Sequence, residues 1–167
     1  MNDSCTAQLT YQGNRIDKNS VGKLRPSIDA INNRPELWSR MVEDGYLFLP
    51  GLLNLDEVLA ARTELCGRLF KAGLLAKSAD PIEGIANSAA KNKNAFMPEL
   101  ARKNQSLDIV LYHGAMIDFY TMFLGGIVRH FDYTWFRVKP PGIGNATTPH
   151  QDNVYMGRGT DNLFTSW

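Results

Sequence analysis

The stretch "PPGIGNATTPHQDNVYMGRGTDNLFTSW", residues 140–167, decides how this chain is read. It sets a histidine and an aspartate two positions apart, His150 and Asp152, directly after a loop rich in proline and glycine. On an extended segment alternate side chains share a face, so the pair would point one way and Gln151 the other. On a helix the same spacing would splay them by roughly 200°. Pro149 disfavours helical backbone at Thr148, so the loop is expected to deliver the chain into a strand. An imidazole and a carboxylate on one strand face supply two thirds of the 2-His-1-carboxylate triad that binds non-haem Fe(II) and leaves coordination positions open.

The bare spacing is not unique. "RHFDY" places His130 and Asp132 in the same relation, but at a helix-to-strand junction with no Pro/Gly loop to present them. That copy reads as a surface charge pair near a helix C-terminus, where a cation such as Arg129 or His130 is favourable. His113, in "LYHGAM", reads as a satisfied core histidine. For "HQD" itself a metal-ligand pair and a hydrogen-bonded turn both stand on the residues alone.

Working outward, "DYTWFRVKPPG" mixes aromatic and β-branched residues with period-two character and stops at Pro140-Pro141, which predicts a strand. Arg137 and Lys139 alternate onto one of its faces. They are candidates to bind an oxo-acid carboxylate, or else a solvated strand face. "SLDIVLYHGAMIDFYTMFLGG" predicts two short helices broken around Gly114. The long connection over 75–105, punctuated by Pro81, Gly84 and Pro98, is a candidate substrate-contacting loop. Before it, Asn54 with Asp56 and Glu57 predicts a helix start and a run to about Gly73, with Leu59, Thr63, Leu65 or Cys66, Leu69 and Phe70 on its packed face. Pro35 and Gly45 bracket an earlier helix with Leu37, Trp38 and Met41 on its apolar face, handing over to a strand at "YLFL". Residues 1–33 read as a polar arm with a short strand at "AQLTY", 34–132 as a part of helices and a strand, and 133–167 as the first strands of a sheet carrying the His-x-Asp pair.

Composition narrows the class. With 167 residues, 44% hydrophobic and 21% charged, one globular domain is expected. A net charge of +1 from 18 basic and 17 acidic residues leaves no electrostatic footprint for nucleic acid or an anionic membrane. No stretch reads as the roughly 18 to 20 apolar residues of a membrane span, and the N-terminus has no signal architecture. A cytoplasmic location is the default. Cys5 and Cys66 fit neither a disulfide framework nor a metal site, and Cys66 is expected in the core.

Taken in order, "MVEDGYLFLPGLLNLDEV", "LYHGAMIDFYTMFLGG" and "WFRVKPPGIGNATTPHQDNVYM" resemble the phytanoyl-CoA dioxygenase-like family of Fe(II)- and 2-oxoglutarate-dependent oxygenases, over most of residues 36–167. The resemblance implies an α+β fold, with N-terminal helices packed on the start of a double-stranded β-helix, a jelly-roll or cupin-like barrel. It implies His150 and Asp152 as the first two iron ligands, 2-oxoglutarate and O2 as cosubstrates, and hydroxylation of a small molecule. Trp167 is similar to an aromatic that lines the 2-oxoglutarate pocket, with barrel core as its alternative, and Tyr155 to one that follows the ligand pair closely. Asp152 stands where halogenating relatives carry a small residue, which points to hydroxylation.

The family pattern also needs a second histidine and a carboxylate-binding arginine downstream, and the chain reaches Trp167 without them. The expectation is the N-terminal portion of a longer enzyme, or a truncated product, with an incomplete barrel and unpaired edges. Two rivals stand beside the oxygenase: a noncatalytic scaffold of the same fold acting as a binding module, and an unrelated α+β domain in which "HQD" is a turn.

Overall fold

Three of the helices start where an asparagine precedes an apolar stripe. A computed structural model describes residues 10–11, 13–90, 96–131, 133–139 and 148–167. Helix α1 (Arg34–Asp44) starts at Asn33, whose Oδ1 accepts the Glu36 amide at 3.2 Å, carries Pro35 in its first turn and stops at left-handed Gly45. Helix α2 (Leu55–Lys71) starts at Asn54, whose Oδ1 accepts the amides of Asp56 and Glu57 at 2.9 and 3.2 Å. Helix α3 (Gln105–Tyr112) starts at Asn104, which accepts the Leu107 amide at 3.1 Å. Each cap satisfies amides that a helix start leaves without partners.

Helix α4 (Gly114–Leu124) follows α3 after a single residue, His113. Gly114 at φ +53 turns the chain there in a conformation other residues resist. Among the described residues, the 20-residue run Gln105–Leu124 is long and apolar enough to cross a membrane by length and composition alone, where no such stretch was expected. Three of its apolar residues, Leu107, Phe119 and Phe123, are buried in the protein's own cores.

Two cores organise the helices. In the first, Leu37 of α1 meets Phe119 and Phe123 of α4 and Ala30, with Trp38, Met41, Leu47, Leu49 and Leu52 around them. Trp38 stacks on Phe123 with ring centroids 4.7 Å apart and its indole N–H donates to the Phe123 carbonyl at 2.9 Å. Arg34 closes the same helix end, donating to the Phe123 and Leu124 carbonyls at 2.9 and 3.0 Å. A cation there satisfies orphan carbonyls and suits the negative end of the helix dipole. A side chain at Gly125 would be strained at its φ of +76 and would displace the Arg34 guanidinium, which lies 2.8 Å from where a Cβ would sit.

The second core joins Ala61 of α2, Leu107 of α3 and Ala101, flanked by Leu65, Val110, Leu111 and Phe136. The packed face of α2 is therefore Ala61, Leu65 and Cys66. Leu59, Thr63 and Phe70, expected on that face, are exposed. A stripe read from large residues alone overlooks the small Ala61, which is buried against Ala101 and Leu107.

Outside the helices, pairing is sparse. Strands β1 (Thr10–Tyr11) and β2 (Asn14–Arg15) form an antiparallel two-stranded sheet. The first three residues of the strand expected at "AQLTY" lie outside the described residues. Among the described residues, the stretches expected as strands at "YLFL" and over 133–139 make only isolated bridges, Pro26 with Phe48 and Phe96 with Arg137, while Asp132 lies outside the described residues. Leu47 and Leu49 are used for packing on the first core instead. One two-stranded sheet neither shows nor excludes the barrel.

Arg40 clasps α1 to the turn before it, reaching Asp29 at 2.7 Å and Glu36 at 2.8 Å. The guanidinium's hydrogen bonds hold the Asp29 carboxyl below the usual carboxylate range, against the opposing pull of desolvation. The C-terminal segment docks on α1 and α4 through Phe164, edge-on to Trp38 and Phe123 at 5.8 and 5.3 Å. That contact positions the candidate site.

Candidate metal centre

The chain approaches the site in irregular backbone at residues 148–151 and then turns into α5 (Asn153–Met156), a single helical turn. The Tyr155 and Met156 amides both donate to the Asp152 carbonyl at 2.9 Å, and the Val154 amide to the Gln151 carbonyl at 3.2 Å. Asp152 itself has helical backbone, φ −61 and ψ −28. The strand expected to carry the pair is therefore not there among the described residues, and Gln151 is exposed.

The two side chains converge nonetheless, with His150 Nε2 3.2 Å from Asp152 Oδ1. The splaying expected of a helix does not occur, because only Asp152 belongs to the helical turn while His150 precedes it in irregular backbone. A metal about 2.1 Å from each donor at a roughly right-angled bite leaves the donors about 3 Å apart. The observed separation matches that geometry.

Both flanking groups favour the same donor atoms. His150 Nδ1 lies 2.7 Å from the Thr148 carbonyl. A nitrogen facing a carbonyl carries the proton, so Nδ1–H donates and Nε2 is the atom offered towards Asp152. Thr165 Oγ1 donates to Asp152 Oδ2 at 2.6 Å, which occupies one carboxylate oxygen and leaves Oδ1 for the pair. The ring of Tyr155 stands edge-on to His150 at 6.2 Å. Thr165 in turn is held by its neighbours, since Ser166 Oγ lies 2.7 Å from the Tyr120 hydroxyl and half-buried Phe164 packs against the first core.

The pair is open to water, with side-chain exposures of 41% for His150 and 31% for Asp152. Among the described residues no group of three or more His, Cys, Asp or Glu side chains comes together. The donor set thus fits two positions of an iron site and not a complete triad. Without a metal, a protonated His150 makes the same contact a charge-assisted hydrogen bond.

The other expected residues lie elsewhere. Arg137 stands over the rings of Phe96 and Trp135, at 5.4 and 5.8 Å from their centroids, so its guanidinium is engaged in cation–π contacts. Lys139 is exposed at the end of 133–139. Trp167 is fully exposed, two residues past the Thr165 that touches the site. His113 is exposed at the α3–α4 break and not in the core; a one-residue helix break has no interior to bury it. His130 stacks on Tyr112 at 4.2 Å, and its partner in the second His-x-Asp motif, Asp132, lies outside the described residues. Part of the 75–105 connection, residues 91–95, does too. Thr165 was invisible in the sequence because it reaches Asp152 from thirteen positions away.

No family model matches the chain, and no curated protein or solved structure matches it.

Proposed function

We propose that this chain carries the paired-ligand part of an Fe(II)- and 2-oxoglutarate-dependent oxygenase that hydroxylates a small molecule. The observation that carries this reading is the 3.2 Å approach of His150 Nε2 to Asp152 Oδ1, with each residue's second polar atom already engaged. Bound at these atoms, iron would supply open coordination positions for the keto acid and O2 and the oxidising power for hydroxylation.

The chain's own residues have simpler tasks. Thr148 fixes the imidazole tautomer, and Thr165 holds the carboxylate so that one oxygen faces the imidazole. Tyr155 stands beside the imidazole ring.

A second reading is favoured by the helical backbone of Asp152: the pair is a hydrogen bond that closes a turn in a noncatalytic domain. Anaerobic titration with Fe(II) and 2-oxoglutarate separates the two. The oxygenase reading expects a visible charge-transfer band, lost in His150→Ala and in Asp152→Ala. A chain that gives no band, or a band that survives both substitutions, supports the turn.

A further inference from the structure

A second site lies away from the His150–Asp152 pair and shares no residue with it. A cleft of about 460 Å³ opens between the turn before α3, the C-terminal end of α3 and residues 130, 133 and 134. Small-molecule sites run from roughly 300 to 1,000 Å³, so the size is sufficient. Arg102, Lys103, Asp108, Tyr112, His130 and Thr134 line it.

The backbone that presents the two cations is unusual. Lys103 has φ +52 and is the one non-glycine residue with positive φ among the described residues. A side chain there strains the backbone, and such strain persists only where surroundings over-determine it. Arg68 does so. Its guanidinium donates to the carbonyls of Leu100, Arg102 and Lys103 at 3.1, 2.6 and 2.9 Å, while Glu64 holds the same guanidinium at 2.8 Å. Ala101 and Asn104 on either side are buried, at 3% and 1% exposure.

This bracing leaves the side chains of Arg102 and Lys103 lining the cleft, with no ion pair or hydrogen bond to another described residue. Among the described residues of the lining Asp108 is the one acid, beside the two cations Arg102 and Lys103. Two cations on adjacent residues suit a single anionic group more than a polyanion. The Tyr112 and Thr134 hydroxyls, 2.6 Å apart, add neutral hydrogen-bonding groups, and Tyr112 stacked on His130 offers a flat wall.

We infer that this cleft binds the oxyanion group, phosphate or carboxylate, of a small molecule, with Arg102 and Lys103 as its charged ligands. A lone oxyanion fills only part of the space, so the molecule extends beyond its anionic group. This inference does not rest on the iron reading.

Chemical-shift titrations of the chain with inorganic phosphate and, separately, acetate, each against chloride at equal ionic strength, test it. Saturable shifts are expected at Tyr112, His113 and His130. Phosphate alone producing them assigns a phosphorylated ligand; both anions producing them extends the class to carboxylates. In Arg102→Gln/Lys103→Gly binding should weaken at least about tenfold, the loss of charged hydrogen bonds. The same change puts glycine at the strained position, so the thermal midpoint should hold or rise. Arg102→Gln alone leaves that backbone untouched and should also weaken binding. No saturation with either anion, or undiminished binding in both variants, overturns the inference.

Discussion

Residues 26–124 enclose two cores in which Leu37 and Phe123 are fully buried, whereas residues 148–167 lend one ring, Phe164, to the first core and otherwise lie mostly at the surface. The helical region is held by many apolar contacts and by caps whose partners sit within three residues. The C-terminal segment is held by a few contacts that reach far along the chain: Thr165 to Asp152, Ser166 to Tyr120 and Met116, and Phe164 to Trp38. The candidate ligands lie in the weaker region, and the surface they depend on belongs to the stronger one. A site built this way is placed by its support more than by its own backbone.

The largest expected effect tests that dependence. Phe123→Ala empties the centre of the first core and should cost about 3 to 5 kcal/mol, read as a fall in the denaturant midpoint. Because Phe164 packs on that ring, amides of residues 150–166 should lose hydrogen-exchange protection together with α1 and α4. Trp167→Ala, at a fully exposed residue, should change stability by no more than about 0.5 kcal/mol. If Phe123→Ala left the helices intact and released only the C-terminal segment, the division between supporting and supported regions would be misplaced.

A smaller effect sharpens the account of the pair. Thr165→Val keeps the shape and removes the hydroxyl that donates to Asp152. Loss of such a supporting hydrogen bond lowers metal affinity by roughly 10- to 100-fold, so the Fe(II) affinity should drop while far-UV circular dichroism stays unchanged. An unaltered affinity would leave Asp152 orientation to its backbone alone.

The smallest effect concerns pH and the clasp on α1. Asp29 has a folded pKa below its ordinary value of 3.8, chiefly through its hydrogen bonds with Arg40. A depressed carboxylate contributes stability that is present above the unfolded value and lost as pH falls through the folded one. Wild-type protein should therefore lose more stability than Asp29→Asn on acidification from about pH 5 to below pH 4. The side chain of Asp29 is 66% exposed, so salt should shrink the difference. Equal acid sensitivity in the two proteins would remove the clasp from the helical region's support.

Much of the helical region was legible because its determinants are local. Pro35 and Gly45 bracket α1, Asn54 starts α2, and Gly114 breaks α3 from α4, as their neighbours along the chain require. The stripe on α2 was misjudged because burial of Ala61 depends on what packs against it. Strands at "YLFL" and "DYTWFRVK" were over-read for a similar reason: alternation shows that residues can pair, but only a neighbouring chain supplies the hydrogen bonds. At the candidate site, the residue types and spacing of His150 and Asp152 were readable, but Thr165 was not.

The amino-acid order by itself determined where helices begin and end and which residue types stand at the possible ligand positions, because caps, breaks and side-chain chemistry act within a few residues. Only the tertiary structure decided that the imidazole and carboxylate face each other from non-strand backbone, and that Arg68 braces two cations beside a cleft. Both arrangements depend on contacts between distant parts of the chain, whose distances no local pattern encodes.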